Sequence, residues 1–461
     1  MEKNHTMKNH KILITLFAGL LGFNSCEDSL NLAPISEIGS DNFYSNTEQV
    51  ETGVYAIYDG LQAMVQTEYA LTEIRSDNTK TRTSEGEGAQ FESMNVDPSN
   101  STVALYWSNN YNVIFRANTV LKHLDAVTIA AKKTQFEGEA KFVRALCHFN
   151  LVRAFGDVPL INKIVTTSDK EYFNRTPKAD VFTSIIKDLK DAVTMLPARA
   201  ATGEGRATIG AANALLAKVY LTTGDYVSAK TALDAVSATE YGIMPAFNDV
   251  FYKEQNKEVI FAIQYINDNA TDSELFSIDF TSKGRATGLN FATSDLMSSV
   301  DTAIDKRKST LFYFEKAISK WQCGKYRSNS TNTSFSGNDW IVLRYADVLL
   351  MKVEAIMAGG TSTSDAAAVT AFNAIRTRAG LPTVTTVTKE DLLKERRTEF
   401  AFENQRLYDL IRFGVADAVM GAFSTKGEPT FSYSSTDLLL PIPQRERNLN
   451  PDMTQNPGYN Q

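Results

Sequence analysis

The chain has 461 residues, 43% hydrophobic and 22% charged, values typical of a folded protein rather than a disordered one. Its formal net charge is −7 and it has no basic run, which argues against nucleic acid as a partner because phosphate binding needs a basic surface. The three cysteines, Cys26, Cys147 and Cys323, are too few for a disulfide framework.

The first 25 residues are predicted to be a lipoprotein signal peptide. Lys8 and Lys11 precede an apolar run over 12–23, which is short for a membrane span and typical of the core of a secretory leader. Ser25 is the small residue expected before the cysteine of a bacterial lipoprotein, so Cys26 is predicted to be acylated and to anchor the mature protein. The competing interpretation is a conventional signal peptide with an incidental cysteine.

The first helix is predicted to begin at Thr47, after a polar tether that reaches about residue 42. The positions that recur at helical spacing on its apolar face are Val50, Val54, Ile57, Leu61 and Val65. The stretch 76–102 is rich in Ser, Gly, Asp and Asn and predicts a long loop, a kind of segment that is often functional. A second helix is predicted over 106–125.

Helix pairs dominate from residue 140 onward. In the pair over 206–236, Gly224 is predicted to take the left-handed position that ends a helix, and Asp225 to cap the next one. Large and small residues placed across such a short turn are typical of a tetratricopeptide repeat. We therefore predict a mostly α fold, with an interrupted tetratricopeptide-like scaffold of about four helix pairs.

The region 241–339 breaks this helical period. Residues 258–266 predict a buried strand, and the remainder is rich in Ser, Thr and Gly and predicts loops. We interpret the region as a loop-rich insertion.

Residues suited to catalysis or metal binding are scarce. Only His123 and His148 lie beyond the leader, and there is no zinc-binding His pair, nucleotide-binding glycine pattern or Gly-x-Ser-x-Gly elbow. His-based catalysis therefore has little to build on, and we predict no metal and no cofactor.

The segment 395–414, ERRTEFAFENQRLYDLIRFG, carries acids at helical spacing. Three pairs are expected at three-residue spacing, Arg396 with Glu399, Glu403 with Arg406, and Asp409 with Arg412. Such neighbours would keep the carboxylates ionised, which is unsuited to a general acid. The segment is predicted to be one ion-paired, structural helix.

Aromatic side chains offer a different chemistry, because the apolar C–H face of a sugar stacks on Trp or Tyr while polar groups take its hydroxyls. The tryptophans are Trp107, Trp321 and Trp340. Trp321 lies in a predicted loop close to Tyr326 and polar side chains, which favours it as a stacking platform. Burial in the core is the competing interpretation for each tryptophan.

Several motifs, in order along the chain, resemble the SusD/RagB family of glycan-binding outer-membrane lipoproteins. They are Cys26 with Glu27-Asp28, YNVIFRAN (111–118), EAKFVRALCHFNLVRAFGDVPLI (139–161), LRYADVLLMKVEA (343–355), the 395–414 segment and the ending LLLPIPQRERNLNPDMTQNPGY (438–459). The ending is the most specific match. Asn404 is a departure, since the family usually has glycine there.

The resemblance implies a non-catalytic protein that captures oligosaccharide and delivers it to a TonB-dependent, SusC-like transporter in the outer membrane. Glu27-Asp28 resemble the family's surface-export signal, so the protein is expected to be lipid-anchored and exposed at the cell surface. The implied division is a leader at 1–25, an N-terminal half at 26–225 and a C-terminal half at 226–461.

The resemblance also implies ligand contacts in two regions, about 76–107 and 267–338. Within them Asp77, Asn78 and Arg82 are predicted to bind sugar hydroxyls, and Trp321 and Tyr326 to be stacking platforms. The competing interpretation is structural: Asp77 and Asn78 cap a turn, Arg82 is solvated, and Trp321 packs on the scaffold.

Two other functions stay open at this point. Grooves of tetratricopeptide-like scaffolds commonly hold peptides, so a peptide- or protein-binding surface lipoprotein is the alternative. A surface glycoside hydrolase is less favoured, because acids are too common in this chain to nominate a catalytic pair.

Overall fold

The computed structural model describes residues 43–81, 86–267, 269, 271–280, 290–300, 303–316, 319–327, 335–426 and 430–459. The predicted signal peptide, the Cys26 anchor and the polar tether lie outside the described residues, and so does Arg82. Within these ranges the chain is mostly helical, as predicted, and no helix is long and apolar enough to cross a membrane.

Long helices separated by short elements form the N-terminal part. The elements are α1 (Thr47–Val65), α2 (Glu68–Thr72), β1 (Thr79–Lys80), α3 (Gly86–Glu92), α4 (Ser101–Lys122), α5 (Ala130–Phe155) and α6 (Lys178–Met195). Asn46 and Asn100 begin α1 and α4, because their side-chain oxygens accept otherwise unpaired N–H groups of the first turn. The apolar face predicted for α1 is confirmed as buried. The stretch 76–102, predicted to be a loop, contains β1 and α3.

The helix pair predicted over 206–236 is confirmed as α7 (Ile209–Thr223) and α8 (Tyr226–Asp234). Gly224 ends α7 in the left-handed region at φ +80°, and the Asp225 carboxylate accepts the N–H of Ser228 at 3.0 Å to begin α8. Short 3₁₀ turns link other elements, at Leu124–Ala126, Lys170–Phe173, Arg199–Ala201 and Ser435–Leu438.

The middle of the chain contains most of the strands. Its elements are α9 (Asp249–Tyr252), β2 (Val259–Ile263), α10 (Phe276–Phe280), β3 (Phe291–Ala292), α11 (Ser294–Ser299), α12 (Lys308–Leu311), β4 (Phe312–Glu315), β5 (Lys320–Cys323) and β6 (Trp340–Arg344). The predicted strand at 258–266 is confirmed by β2, which is buried throughout and pairs antiparallel with β6. The prediction of loops elsewhere in the insertion was wrong for β3, β4 and β5, because strands of two to four residues are too short to show a period in the sequence.

The C-terminal part returns to helices. Its elements are α13 (Tyr345–Met357), β7 (Ser362–Thr363), α14 (Ala366–Ala379), β8 (Val387–Thr388), α15 (Lys389–Glu399), α16 (Arg406–Arg412), α17 (Ala416–Ser424) and α18 (Gln444–Leu449). The single helix predicted through 395–414 is therefore two helices. The chain turns between them at Phe402 and Asn404, whose φ angles are +67° and +58°. Asn tolerates the left-handed region better than most residues, which explains how it can stand where glycine is usual.

The buried carboxylate of Glu73, the residue directly after α2, stabilises this turn. It accepts the backbone N–H of Phe402 at 2.8 Å and that of Asn404 at 3.1 Å. These two N–H groups leave the helical pattern at the turn, so without Glu73 they would be buried donors lacking an acceptor.

The ion pairs of the 395–414 segment are confirmed in kind, but most of the predicted partners were wrong. Only Arg412 and Asp409 pair at three-residue spacing, at 2.8 Å. Arg396 bonds Asp347 and Asp409 instead of Glu399, at 2.8 and 2.9 Å.

Glu399 is the centre of a second, fully buried network. It pairs with Arg307 at 2.9 Å and Arg344 at 2.6 Å, and also with Arg378. Burial alone would raise the pKa of Glu399, but the three guanidinium groups outweigh it and hold the pKa well below its usual value. Glu399 is thus ionised, as the sequence analysis expects, although the cations come from distant segments.

Two amide side chains hold the ending of the chain in place, and one of them bonds the end of α5. Asn456 donates to the carbonyls of Phe155 and Leu440, both at 2.8 Å. Gln455 bonds both backbone groups of Ile442, at 2.7 and 2.9 Å. The most specific motif of the resemblance is therefore structural, since it fixes the tail to the helical scaffold.

The largest hydrophobic cluster combines residues from both predicted halves of the chain, from Val50 to Met453. Two smaller clusters lie mainly among the C-terminal helices. Cys147 and Cys323 are free and buried. The division at residue 225 stays a prediction.

Candidate ligand-binding site

The two regions predicted to carry ligand contacts meet in one antiparallel sheet of four strands, in the order β1-β3-β5-β4. Strand β1 comes from the first region and the other three come from the second. Thr293 joins them further, because its N–H donates to the carbonyl of Asn78 at 3.0 Å and its hydroxyl to the carbonyl of Asp77 at 2.8 Å. The fold thus brings these regions together; their part in ligand contact stays a prediction.

Strands β4 and β5 form a hairpin that exposes two aromatic rings; we call these strands the aromatic hairpin. Phe314 lies directly opposite Trp321, with ring centroids 5.1 Å apart and ring planes inclined by 59°. The two side chains are 40% and 39% exposed, whereas most aromatic residues of this region are buried. Exposed apolar rings side by side are suited to the C–H faces of sugar rings.

The next residue pair of the hairpin points to the other face of the sheet, since successive strand residues alternate. There Tyr313 lies opposite Gln322, and the guanidinium of Arg327 stands 3.8 Å from the centroid of the Tyr313 ring. Arg327 is exposed, so it adds hydrogen-bond donors beside the hairpin.

Asp77 lies two residues before β1 and is only 2% exposed. Its carboxylate accepts two hydrogen bonds from Arg406, at 2.8 and 2.9 Å, and pairs with Arg397 at 3.0 Å. Burial would raise the pKa of Asp77, but the two guanidinium groups outweigh it and lower the pKa. Both carboxylate oxygens are therefore used inside the protein, and the predicted bond to a sugar hydroxyl does not fit this structure.

Asn78 is buried completely, and both the N–H and the oxygen of its side-chain amide are hydrogen-bonded. It donates to the Glu73 carboxylate at 3.0 Å and accepts from Arg397 at 2.9 Å. Like Asp77, it is a structural residue here, so the competing interpretation from the sequence describes it better than the predicted contact with ligand. Asp77 and Asn78 position the start of β1 rather than face solvent.

Tyr326 does not form the predicted platform. It is 1% exposed and stacks on Trp340, with centroids 5.0 Å apart and planes inclined by 28°. Trp107 and Trp340 are each 3% exposed, so both belong to the core. Of the predicted site residues that the structure describes, Trp321 alone offers a surface to a ligand; its role in binding stays a prediction.

Phe314 is the exposed aromatic residue beside Trp321 that the sequence analysis missed. The runs FYFE (312–315) and KWQC (320–323) alternate apolar and polar residues around a short gap, which is a hairpin signal. Taking the stretch for a loop hid the register that places Phe314 beside Trp321.

The site shows no features of a metal centre. Among the residues that the structure describes, no group of three or more His, Cys, Asp or Glu side chains is placed to hold a metal ion.

Two family models match the chain. Residues 296–459 match the model of the SusD family, and residues 32–221 match a model described as "Starch-binding associating with outer membrane". The matched segments include β1 and the whole of the aromatic hairpin.

Curated proteins and solved structures resemble the chain over most of its length. A SusD-like protein of Formosa agariphila is 26% identical over 98% of this chain and 100% of its own. The structure of a laminarin-binding SusD-like protein is 26% identical, with a TM-score of 0.77 over 90% of this chain and 100% of its own. The structure of surface glycan-binding protein A from Bacteroides thetaiotaomicron with laminarihexaose has a TM-score of 0.77 at 22% identity, over 89% of this chain and 99% of its own.

Proposed function

Because this chain belongs to the SusD/RagB family, whose members are binding proteins rather than enzymes, we propose that it captures an oligosaccharide at the cell surface. The observation that carries this proposal is the exposed Phe314–Trp321 pair on the sheet that joins β1 to the insertion. The match to a starch-binding, outer-membrane-associating family model and the likeness to a laminarin-binding protein support a glycan as the ligand.

The aromatic hairpin provides the contact surface in this proposal. Sugar rings stack on Trp321 and Phe314, and nearby backbone groups take hydroxyls. Burying two half-exposed rings contributes a few kcal/mol at most, at roughly 25 cal/mol per Å² of apolar surface. Such a modest gain suits a protein that must release its ligand again.

The ligand passes from this chain to a TonB-dependent transporter of the outer membrane, and a lipid on Cys26 keeps the two together. Glu27 and Asp28, directly after the anchor, direct the protein to the outer face of the membrane. The residues up to 42 supply a polar tether between the lipid and α1. Several acyl chains are needed for stable anchoring, since each buried methylene contributes only ~0.8 kcal/mol.

Calorimetric titration of Trp321→Ala tests the binding surface. We expect a loss of about 1–2 kcal/mol in binding free energy, or about tenfold in Kd, for the oligosaccharide that the unaltered protein binds. Phe314→Ala should weaken binding in the same direction. The titrations use mature protein and a panel of laminari-, malto- and cello-oligosaccharides.

Phe115→Ala is the matched control, because Phe115 is a 54% exposed aromatic residue on α4, outside the sheet. It should bind like the unaltered protein. Equal affinity of all three variants would remove the hairpin from the site. Binding of peptides with no binding of any glycan would favour the alternative function instead.

A further inference from the structure

A polar cleft runs along the free edge of β2, in a part of the molecule that the proposed function does not use. Within the described residues β2 pairs with β6 alone, so its other edge has no strand partner. Two cavities, of about 220 and 200 Å³, follow this edge and share Gly205, Phe261 and Ala262 in their walls. They form one cleft with two halves.

The two halves meet at a narrow point between Gly205 and Gln264. Gly205 has φ +75°, and a Cβ atom there would stand 2.2 Å from Oε1 of Gln264. A cavity of about 150 Å³ is known to accept a benzene ring, so each half has room for one six-membered ring. Two ring-sized halves that adjoin are the shape that a disaccharide unit requires.

The two arginines of the cleft have few donors left for an anionic ligand. Arg199 gives its donors to four backbone carbonyls, including those of Gln255 at 2.9 Å and Val259 at 3.2 Å. Arg206 is held by the Glu139 carboxylate at 2.9 Å and by Glu51 at 3.3 Å. The hydrogen-bond donors of Arg199 are therefore used by backbone carbonyls, and the charge of Arg206 is paired with two carboxylates.

Three acids line the described part of the cleft; Glu204 is exposed to solvent, and the other two have partners. Asp59 pairs with Arg116 at 2.7 Å, and Asp272 accepts a hydrogen bond from Asn269 at 2.7 Å. A neutral ligand with many hydroxyls remains the best match, because carboxylate oxygens and carboxamides bind hydroxyls without a change in net charge.

Carboxamides and an aromatic ring complete the chemistry of the cleft. Gln264 is exposed, and its side-chain amide makes no hydrogen bond to the described part of the protein, while Gln62 holds the Gln264 carbonyl at 2.8 Å. The ring of Tyr55 is 54% exposed, and the guanidinium of Arg206 lies 5.3 Å from its centroid. Tyr55 thus offers an apolar ring beside a polar cleft.

We propose that this cleft is a second saccharide-binding site, which takes two neighbouring units of a neutral oligosaccharide between β2, Gly205 and α1. The proposal rests on the proposed function for the class of ligand but uses none of the residues of the aromatic hairpin. Two separated sites would let one protein hold a polysaccharide chain at two points, which raises the overall affinity without tight binding at either.

Titration calorimetry with laminarihexaose, maltohexaose and cellohexaose, each in turn, tests the second site. Gly205→Asn fills the narrow point while keeping a residue that tolerates the left-handed region. We expect two sites per unaltered protein for at least one hexasaccharide, one site in Gly205→Asn, and one in Trp321→Ala. Gln264→Leu, an exposed substitution that leaves the backbone unchanged, should weaken the cleft site at least fivefold.

Gly224→Asn is the matched control, because Gly224 is also left-handed, at φ +80°, and a Cβ there meets nothing within 4 Å. It should keep both sites. If the unaltered protein had a single binding site, and its affinity were unchanged in Gly205→Asn and Gln264→Leu, the cleft would not be a binding site. The proposed function would not be affected by that result. If Gly205→Asn lost all binding and Trp321→Ala lost none of it, the result would support the cleft as a binding site and contradict the aromatic hairpin as one. Absence of binding to all three hexasaccharides would contradict both.

Discussion

Asp339 is a half-buried carboxylate that has no arginine partner among the described residues, unlike the acids of the 395–414 segment. It accepts the N–H of Tyr265 at 3.1 Å, and burial raises its pKa to about 7. Because its pKa in the folded protein lies above the unfolded value near 3.8, the folded state holds the proton more tightly. Asp339 therefore lowers the free energy of unfolding as pH rises from about 4 to 7, and this loss is complete above pH 7.

Asp339→Asn should increase stability at pH 8 by about 1 kcal/mol, since the amide keeps an acceptor for Tyr265 and carries no charge. The gain should shrink as pH falls towards 5, where Asp339 is protonated. Urea unfolding of both proteins at pH 5 and 8 measures this difference. An equal effect at the two pH values would contradict the raised pKa.

Residues that bind each other across long sequence distances were the least predictable from the sequence. Glu399 was predicted to be ionised and structural, which is correct, but its cations are Arg307, Arg344 and Arg378 rather than Arg396. Asp77 and Asn78 looked like exposed loop residues, yet Arg406 and Arg397 lie more than 300 positions away and bury them. No local pattern encodes such contacts.

The turn between α15 and α16 explains why the 395–414 segment is two helices. Asn404 takes a left-handed conformation there and also donates from its amide to the buried Glu68 carboxylate at 3.1 Å. A glycine would suit the backbone but not the hydrogen bond, and an alanine would suit neither.

Asn404→Gly should lower the free energy of unfolding by about 1 kcal/mol, from the lost hydrogen bond. Asn404→Ala should lower it by about 2 kcal/mol, because left-handed alanine adds a cost of about 1 kcal/mol. Denaturant unfolding of the three proteins ranks them. Asn404→Ala equal to or more stable than Asn404→Gly would show that the backbone conformation contributes nothing.

Elements with a hydrophobic periodicity or with helix-capping residues could be predicted from the sequence. Elements that have neither could not. The apolar face of α1 and the Gly224–Asp225 junction follow from spacing and end residues alone. Strands β3, β4 and β5 have two to four residues each and depend on their neighbours in the sheet. Trp321 was found because tryptophan is rare in this chain, but Phe314 needed the register.

At the scale of the whole molecule, helices form a rigid scaffold and the candidate site lies on the sheet inserted between them. The family motifs at 395–414 and 438–459 serve the scaffold, through Glu399, Asn456 and their partners, and Phe402 of the first motif packs on Phe312 of the aromatic hairpin. None of these motif residues is an exposed ring, so the motifs that carried the resemblance could predict the fold and the general function but not which residues of the two regions reach the surface.

The central claim is that an outward-facing, lipid-anchored protein holds glycan on the aromatic hairpin. Binding of a fluorescent oligosaccharide to intact cells tests it most directly, with the glycan that the purified protein binds in solution. Cells with the unaltered protein or Phe115→Ala should be labelled equally, and cells with Trp321→Ala about tenfold less. Equal labelling with Trp321→Ala, or labelling only after the outer membrane is permeabilised, would contradict the claim.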